Sequence, residues 1–240
     1  MRILVTGGTG YLGRELVARG CVGASRSTGV DVRDEEAVRR AVRGFEAVIH
    51  TAYVQHGPDA WSTNVDGSRA VARAAGGLRL IHLSTDVVFG GTKGTPYVES
   101  DPPDPVTEYG RSKTAAELEV AREHPGALIV RTSLIYGGAE PSKHELAAGD
   151  PANVFYTDEI RSPVQAGELA VRLLALLETG LGGPVHLGGA DAVSRQEFAE
   201  LIARRPVRAA PAPPDRPKNC ALASTRVEPL RGVREVLAPA

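Results

Sequence analysis

The segment Thr6-Gly7-Gly8-Thr9-Gly10-Tyr11-Leu12-Gly13 constrains the fold of this chain more than any other. It stands between the apolar run Ile3-Leu4-Val5 and a helical pattern carried by Leu12, Leu16 and Val17, so it reads as a tight turn from strand to helix. Gly7 permits the sharp turn, Gly10 lets the backbone approach a ligand, and Gly13 lets the helix pack closely on the strand. The start of the helix then presents unpaired N–H groups and the positive end of its dipole to an anion. This arrangement suits the pyrophosphate of a dinucleotide, lined by Gly7, Thr9, Gly10, Tyr11, Leu12 and Gly13. A glycine-rich turn that holds no ligand is the plainer alternative.

The rest of the N-terminal half keeps the same alternation. Val22 to Ser25 reads as a second strand and Val30-Asp31-Val32 as a brief third. Asp34 caps a helix with Ala37, Val38, Ala41 and Val42 on one face. Strands at Ala47 to Ile49, Leu80 to Leu83 and Leu128 to Val130 alternate with helical stretches over Val65 to Ala75 and Thr114 to Ala121. Continuous apolar strands between helices predict an α/β fold, a Rossmann-type doubly wound parallel sheet covered on both faces. After Tyr136 the rhythm loosens into proline-containing loops, a helix over Gly167 to Leu177, a strand over Pro184 to Leu187 and a helix over Arg195 to Ala203. Residues 1–136 are therefore expected to form an NAD(P)-binding domain, to which 165–188 return. Residues 137–240 are expected to form mainly a small C-terminal substrate-binding region. By composition, Pro206 to Pro217 is a flexible linker.

A formal net charge of −1 gives no reason to expect nucleic acid or an anionic membrane as partner. The two cysteines and six histidines show no metal-ligand spacing, so no metal is expected. The N-terminal apolar run breaks at Gly7-Gly8, too early for a signal peptide, and no run reaches the length of a membrane span. The expectation is a cytoplasmic protein.

Two further clusters carry chemistry. Ser25-Arg26-Ser27 stands where NAD-specific folds place an acid for the ribose 2′-OH, and no acid occurs before Asp31. A guanidinium among hydroxyls suits a 2′-phosphate, which favours NADPH over NADH as cofactor, with NADH still open. Tyr109 and Lys113 lie four residues apart, on one face of a helix. An ammonium beside a phenol favours phenolate and makes the tyrosine a usable acid at neutral pH. Ser84-Thr85-Asp86-Val87 ends the preceding strand, where open parallel sheets bind ligands.

These pieces occur in a familiar order. The glycine turn is followed by Asp31-Val32-Arg33-Asp34, His50-Thr51-Ala52, Asn64-Val65-Asp66-Gly67, Ser84-Thr85-Asp86 with Val88-Phe89, and Pro96-Tyr97 with Glu99 and Asp101. Then come Tyr109 to Lys113, Arg131 to Gly137, Ala192 to Arg195, and Arg216-Pro217 with Asn219. In this the chain resembles the extended short-chain dehydrogenase/reductases, and among them the dTDP-4-dehydrorhamnose reductase-like, sugar-nucleotide-binding family. It departs from the family pattern in a short run to Asp31, in Val87 where tyrosine is frequent, and in Ala223 where an acid is frequent.

The resemblance implies a catalytic trio of Thr85, Tyr109 and Lys113. Tyr109 would give a proton to a carbonyl oxygen, Thr85 would polarise that carbonyl, and Lys113 would hold the nicotinamide ribose. Asp31 and Val32 would lie by the adenine, while Thr51, Ala52 and Tyr53 would line the cofactor. Asn64 would order the helix behind the site. The substrate would meet Thr85, Asp86, Val87, Lys143, His144, Arg216 and Asn219, which makes Pro206 to Pro217 an ordered, lid-like segment. Some relatives bind magnesium through a glutamate placed like Glu15; none is expected here. The implied activity is NADPH-dependent reduction of a nucleotide-linked 4-keto-6-deoxysugar. A nucleotide-sugar epimerase or dehydratase, and a non-catalytic NADP-binding regulatory subunit like the β subunit of methionine adenosyltransferase, remain open. So does a homodimer.

Overall fold

The structure is a computed structural model and describes residues 1–238. The strands are β1 (Ile3–Thr6), β2 (Val22–Ala24), β3 (Ala47–His50), β4 (Arg79–Thr85), β5 (Leu128–Thr132), β6 (Ile135–Tyr136), β7 (Val154–Tyr156), β8 (Ile160–Arg161), β9 (Val164–Gln165), β10 (Gly183–Leu187), β11 (Val193–Ser194) and β12 (Arg208–Ala210). The helices are α1 (Tyr11–Val17), α2 (Glu35–Ala41), α3 (Gly67–Ala74), α4 (Glu108–Glu123), α5 (Lys143–Gly149), α6 (Ala166–Leu177), α7 (Arg195–Ala203) and α8 (Val233–Val236). None of the described helices is long and apolar enough to cross a membrane.

The chain forms two compact units. The first comprises Met1–Ser84, Arg111–Val130 and Ala170–Pro184; the second comprises Thr85–Gly110, Arg131–Leu169 and the chain from Val185 onward. The sequence suggests a single exit at Tyr136 with a return over 165–188, whereas the chain leaves the first unit at Ser84, Val130 and Pro184.

The first unit is built on a six-stranded sheet of order β10-β5-β4-β3-β1-β2. β1 pairs in parallel with β2 on one side and β3 on the other, and β3 pairs in parallel with β4. The chain thus reverses its direction of travel across the sheet between β1 and β3, which opens the crevice where such sheets bind ligands. β3 is buried along its whole length because helices cover both faces, and this is why it reads as the unbroken run Ala-Val-Ile. Its core packs Leu4, Val38, Val48, Val71, Leu80, Val120 and Ile129 together.

The strand expected over Val30-Asp31-Val32 is absent, and the sheet ends at β2. A single turn of 3-10 helix over Arg26–Thr28 ends at Gly29 in the left-handed region (φ +85°), and the Asp31 carboxylate accepts from Arg33 N at 3.0 Å. Both devices turn the backbone away from a ladder. Val32 is apolar because it anchors the loop in the core, where it leaves room only for a glycine at position 67.

The second unit holds three two-stranded pairs: β6 with β9, β7 with β12, and β8 antiparallel to β11. Phe89 stacks on Tyr97 at 4.1 Å in one small core with Val88, Cys220 and Leu222; Tyr136, Val193, Phe198 and Val233 form another. The proline-rich stretch expected from composition to be a flexible linker contains β12, which pairs residue by residue with Val154–Tyr156.

Candidate active site

In the first unit the glycine turn leaves β1 with Gly7 at φ +75°, where a Cβ would lie 2.7 Å from Ala52 N. A Cβ on Gly13 would lie 2.1 Å from Gly7 O, so only glycine lets α1 sit this close to the turn. Gly8 is equally confined, since its Cβ would meet Gly23 Cα at 2.5 Å, and the Val-Gly-Ala of β2 supplies that clearance. Gly10 differs. It is exposed, has ordinary extended backbone, and its Cβ would touch nothing but Gly7 O, at 3.1 Å. Packing explains Gly7, Gly8 and Gly13; it does not explain Gly10, whose open side fits a cofactor backbone. Thr9 is exposed and Tyr11 half-buried beside it, while the Leu12 side chain is buried in the core and leaves only its backbone for a ligand.

Near the end of β2, Ser25 Oγ and Ser27 Oγ are 2.8 Å apart and Arg26 is exposed. Arg33 binds Asp31 through Nε and Nη2, which holds that carboxyl below the usual aspartate range. Val32 is buried. Thr51 fastens the end of β3 to β1 by donating from Oγ1 to Thr6 O at 2.8 Å; Ala52 is half-buried and Tyr53 exposed. Asn64 closes the loop that follows. Its side chain bonds Val54 N and Val54 O, both at 2.8 Å, and donates to Ser112 Oγ at 2.9 Å, next to Lys113.

Lys113 is buried, with 3% exposure. Its Nζ donates to Leu83 O at 2.8 Å and to His82 Nε2 at 3.3 Å. Burial lowers its pKa to about 8, partly offset by Glu117. Glu117 in turn accepts from Ser84 Oγ at 2.5 Å. Burial keeps His82 and His50 neutral, with His50 lowered to about 3. Because Ser68 Oγ donates to Asn64 O, His50 Nε2–H must donate to Ser68 Oγ, which leaves Nδ1 to accept from Thr6 Oγ1 at 2.6 Å. The sequence singles out Lys113 but not this histidine pair, whose members are spaced like ordinary strand residues.

In the second unit β4 ends at Thr85, whose Oγ1 donates to Asp86 Oδ1 at 3.2 Å and accepts from Val87 N at 3.4 Å. Val87 is half-buried. Asp86 is itself buried; Ser133 Oγ donates to its Oδ2 at 2.6 Å and Arg161 Nε lies 3.7 Å away. Its carboxylate therefore anchors Arg161 as well as the turn. Tyr109 opens α4, and the glycine after it is compulsory, because a Cβ on Gly110 would lie 2.2 Å from Val87 O. That close approach, missed in the sequence, sets the start of α4 against the turn that carries Thr85.

The residues expected to meet substrate are distributed unevenly. Arg216 is ion-paired with the buried Glu159 and lies 5.0 Å over the Tyr156 ring. It lines a cavity of about 150 Å³ with Asn153, Phe155, Tyr156 and Arg195. His144 is adjacent through Arg195, whose Nη1 donates to His144 Nδ1 at 3.3 Å. Burial lowers His144 to about 3, so it is neutral, and the cation at this place is Arg195. Lys143 opens α5 on the exposed surface. Asn219 bridges to Ile160 along the backbone and turns its Oδ1 to Ala221 N at 3.1 Å. Sequence reasoning missed Tyr156 and Asn153, and it quoted Arg195 without a role. Glu15, the position considered for magnesium, pairs with Arg19 at 2.7 Å.

Comparison with known proteins gives the family. Residues 1–235 match the RmlD substrate binding domain. The chain is 36% identical over 273 residues to the dTDP-4-dehydrorhamnose reductase of Mycolicibacterium smegmatis, covering 98% of this chain and 84% of that one. It is 31% identical over 277 residues to the methionine adenosyltransferase 2 subunit beta of Bos taurus, covering 95% and 82%. Among solved structures, the dTDP-4-dehydrorhamnose reductase of Bacillus anthracis in complex with NADP superposes with a TM-score of 0.87 at 26% identity, over 98% of this chain and 96% of that one. The chain belongs to the RmlD substrate binding domain family and is an NAD(P)-dependent oxidoreductase of the extended short-chain dehydrogenase/reductase type.

Proposed function

We propose that this protein reduces the keto group of a nucleotide-linked 4-keto-6-deoxysugar with NADPH. The observation that carries the reading is a buried ammonium, Lys113, one helical turn beyond Tyr109 on α4. Burying an ammonium costs several kcal/mol unless something uses it, and here one carbonyl and one neutral imidazole are its partners.

The open face of Gly10 and the Lys113 ammonium both fit a bound nicotinamide dinucleotide. When bound, that cofactor supplies the hydride. Gly10 and its neighbours would take the pyrophosphate, and Lys113 the nicotinamide ribose. Thr85 Oγ1 would hold the substrate carbonyl, and Tyr109 would donate its proton to the oxygen as the carbon gains the hydride, leaving an alcohol. The Lys113 charge lowers the cost of the phenolate left on Tyr109.

Arg216, over the Tyr156 ring, and Arg195, in the same cavity, suit the diphosphate and base of a nucleotide, and binding that remote part would position the keto carbon. The test is a panel of nucleotide-linked and free keto sugars, scored by loss of reduced nicotinamide. Turnover only with simple ketones that carry no nucleotide would overturn the substrate. The likeness to a methionine adenosyltransferase subunit supports a second, regulatory reading, which would be favoured by tight NADPH binding without turnover on any member of the panel.

A further inference from the structure

The end of β2 lacks an acid in sequence, but the fold delivers one. Asp59, in the loop after β3, places Oδ1 at 3.0 Å from Arg33 Nη1 and Oδ2 at 3.9 Å from Arg26 Nη1. The remaining side of the Arg33 guanidinium, Nε and Nη2, is taken by Asp31. Arg26, between Ser25 and Ser27, and Arg33 thus both already face carboxylates. We infer that Asp59 is a specificity-determining residue that restrains the preference for NADPH over NADH, by competing with the 2′-phosphate for Arg26 and Arg33.

The inference rests on the reading that Arg26 receives the 2′-phosphate, and it adds Arg33, which shares Asp59 with Arg26. A phosphate dianion and a carboxylate seek the same N–H groups, so NADPH must displace Asp59, or share the arginines with a like charge. NADH carries no phosphate there and displaces nothing. Asp59 and Arg26 are half or more exposed and Arg33 one-third exposed, so each pairing is of the weak, solvent-screened kind. Loss of both pairings corresponds to a change in affinity of about 2- to 30-fold. The ion pairs of Asp59 are with Arg26 and Arg33, so the effect should lie in cofactor binding and not in the chemical step.

Calorimetric titration of the full chain and of Asp59→Asn with NADPH, NADH, 2′,5′-ADP and 5′-AMP tests this. Asn keeps the shape and removes the charge; Asp59→Ser serves as a second variant should Asn impair folding. The expected result is NADPH and 2′,5′-ADP bound about 2- to 30-fold more tightly by the variant, a gain that shrinks with added salt, with NADH and 5′-AMP changed much less. Weaker NADPH binding, or equal shifts for NADPH and NADH, would overturn the inference. The parent reading fails separately: if the unmodified protein binds 2′,5′-ADP no better than 5′-AMP and Arg26→Ala changes neither, the arginines do not receive the phosphate at all.

Discussion

Two glycines of one turn should respond to the same substitution in opposite ways. At Gly13 an alanine methyl would stand 2.1 Å from Gly7 O and 2.8 Å from Gly8 Cα. An unstrained carbon–oxygen contact is roughly 3.3 Å, so the turn would have to retreat by about 1 Å. It cannot do so freely, because Gly7 is itself close against Ala52 and Thr51, and Gly8 against Gly23. Alanine in a helix interior gains about 1 kcal/mol over glycine, whereas overpacking against unyielding atoms costs about 1–3 kcal/mol or more. Backbone on both sides puts this case at the upper end, for a net loss of about 2 kcal/mol. At about 2–4 °C per kcal/mol for a chain of this size, Gly13→Ala should melt about 4–8 °C below the unmodified protein. Gly10→Ala meets one atom, at 3.1 Å, from a backbone conformation that alanine adopts without strain. It should melt within about 3 °C of the parent. Its methyl, however, projects where the pyrophosphate should lie, and NADPH should bind at least about 10-fold more weakly. Thermal melts followed by circular dichroism, paired with NADPH titrations, read both effects. A Gly13→Ala protein as stable as the parent would refute the packing argument, and a Gly10→Ala protein with undiminished affinity would refute the ligand argument.

Tyr109→Phe removes only a hydroxyl and should leave NADPH affinity nearly unchanged while kcat falls by about 10²-fold or more; a loss of affinity equal to the loss of rate would contradict its role as proton donor. Lys113, with a pKa of about 8 in the folded protein, gives up its proton at lower pH than in the unfolded chain. Stability of the cofactor-free protein should therefore rise from about pH 8 to about 10.5, by about 3 kcal/mol in total, and Lys113→Met should abolish that rise in urea midpoints measured across the range. Arg216→Ala should raise KM for the nucleotide sugar about 10-fold with little change in kcat, because Glu159 keeps Arg161 at 3.6 Å and the fold survives; steady-state kinetics showing a fall in kcat alone would argue against a docking role.

What could be read from the sequence, and what could not, divides along the range of the forces involved. The six-stranded sheet was legible because each buried strand is a contiguous apolar run, and the turn was legible because Gly7 is demanded by its own positive φ and Gly13 by residues only a few positions away. The same local reading failed at Val30 to Val32, where an apolar alternation proved to be a loop whose valine serves the core. Charges are a different matter, because their partners come from other elements. Asp86 looks like a ligand beside Thr85, yet it is bound by Ser133 and faced by Arg161. His144 looks like a cation beside a substrate loop, yet burial and Arg195 make it a neutral acceptor. Arg26 looks free to take a phosphate, yet Asp59 faces it from the loop after β3. In each case the residue type is plain in the sequence and its availability is not, since availability depends on which carboxylates, hydroxyls and guanidiniums the topology brings within a few ångströms. Lys113 completes the argument from the other side. Its motif is visible in the sequence, but the burial that lowers its pKa, beside Leu83 O and a neutral His82, is not, since no spacing along the chain encodes it.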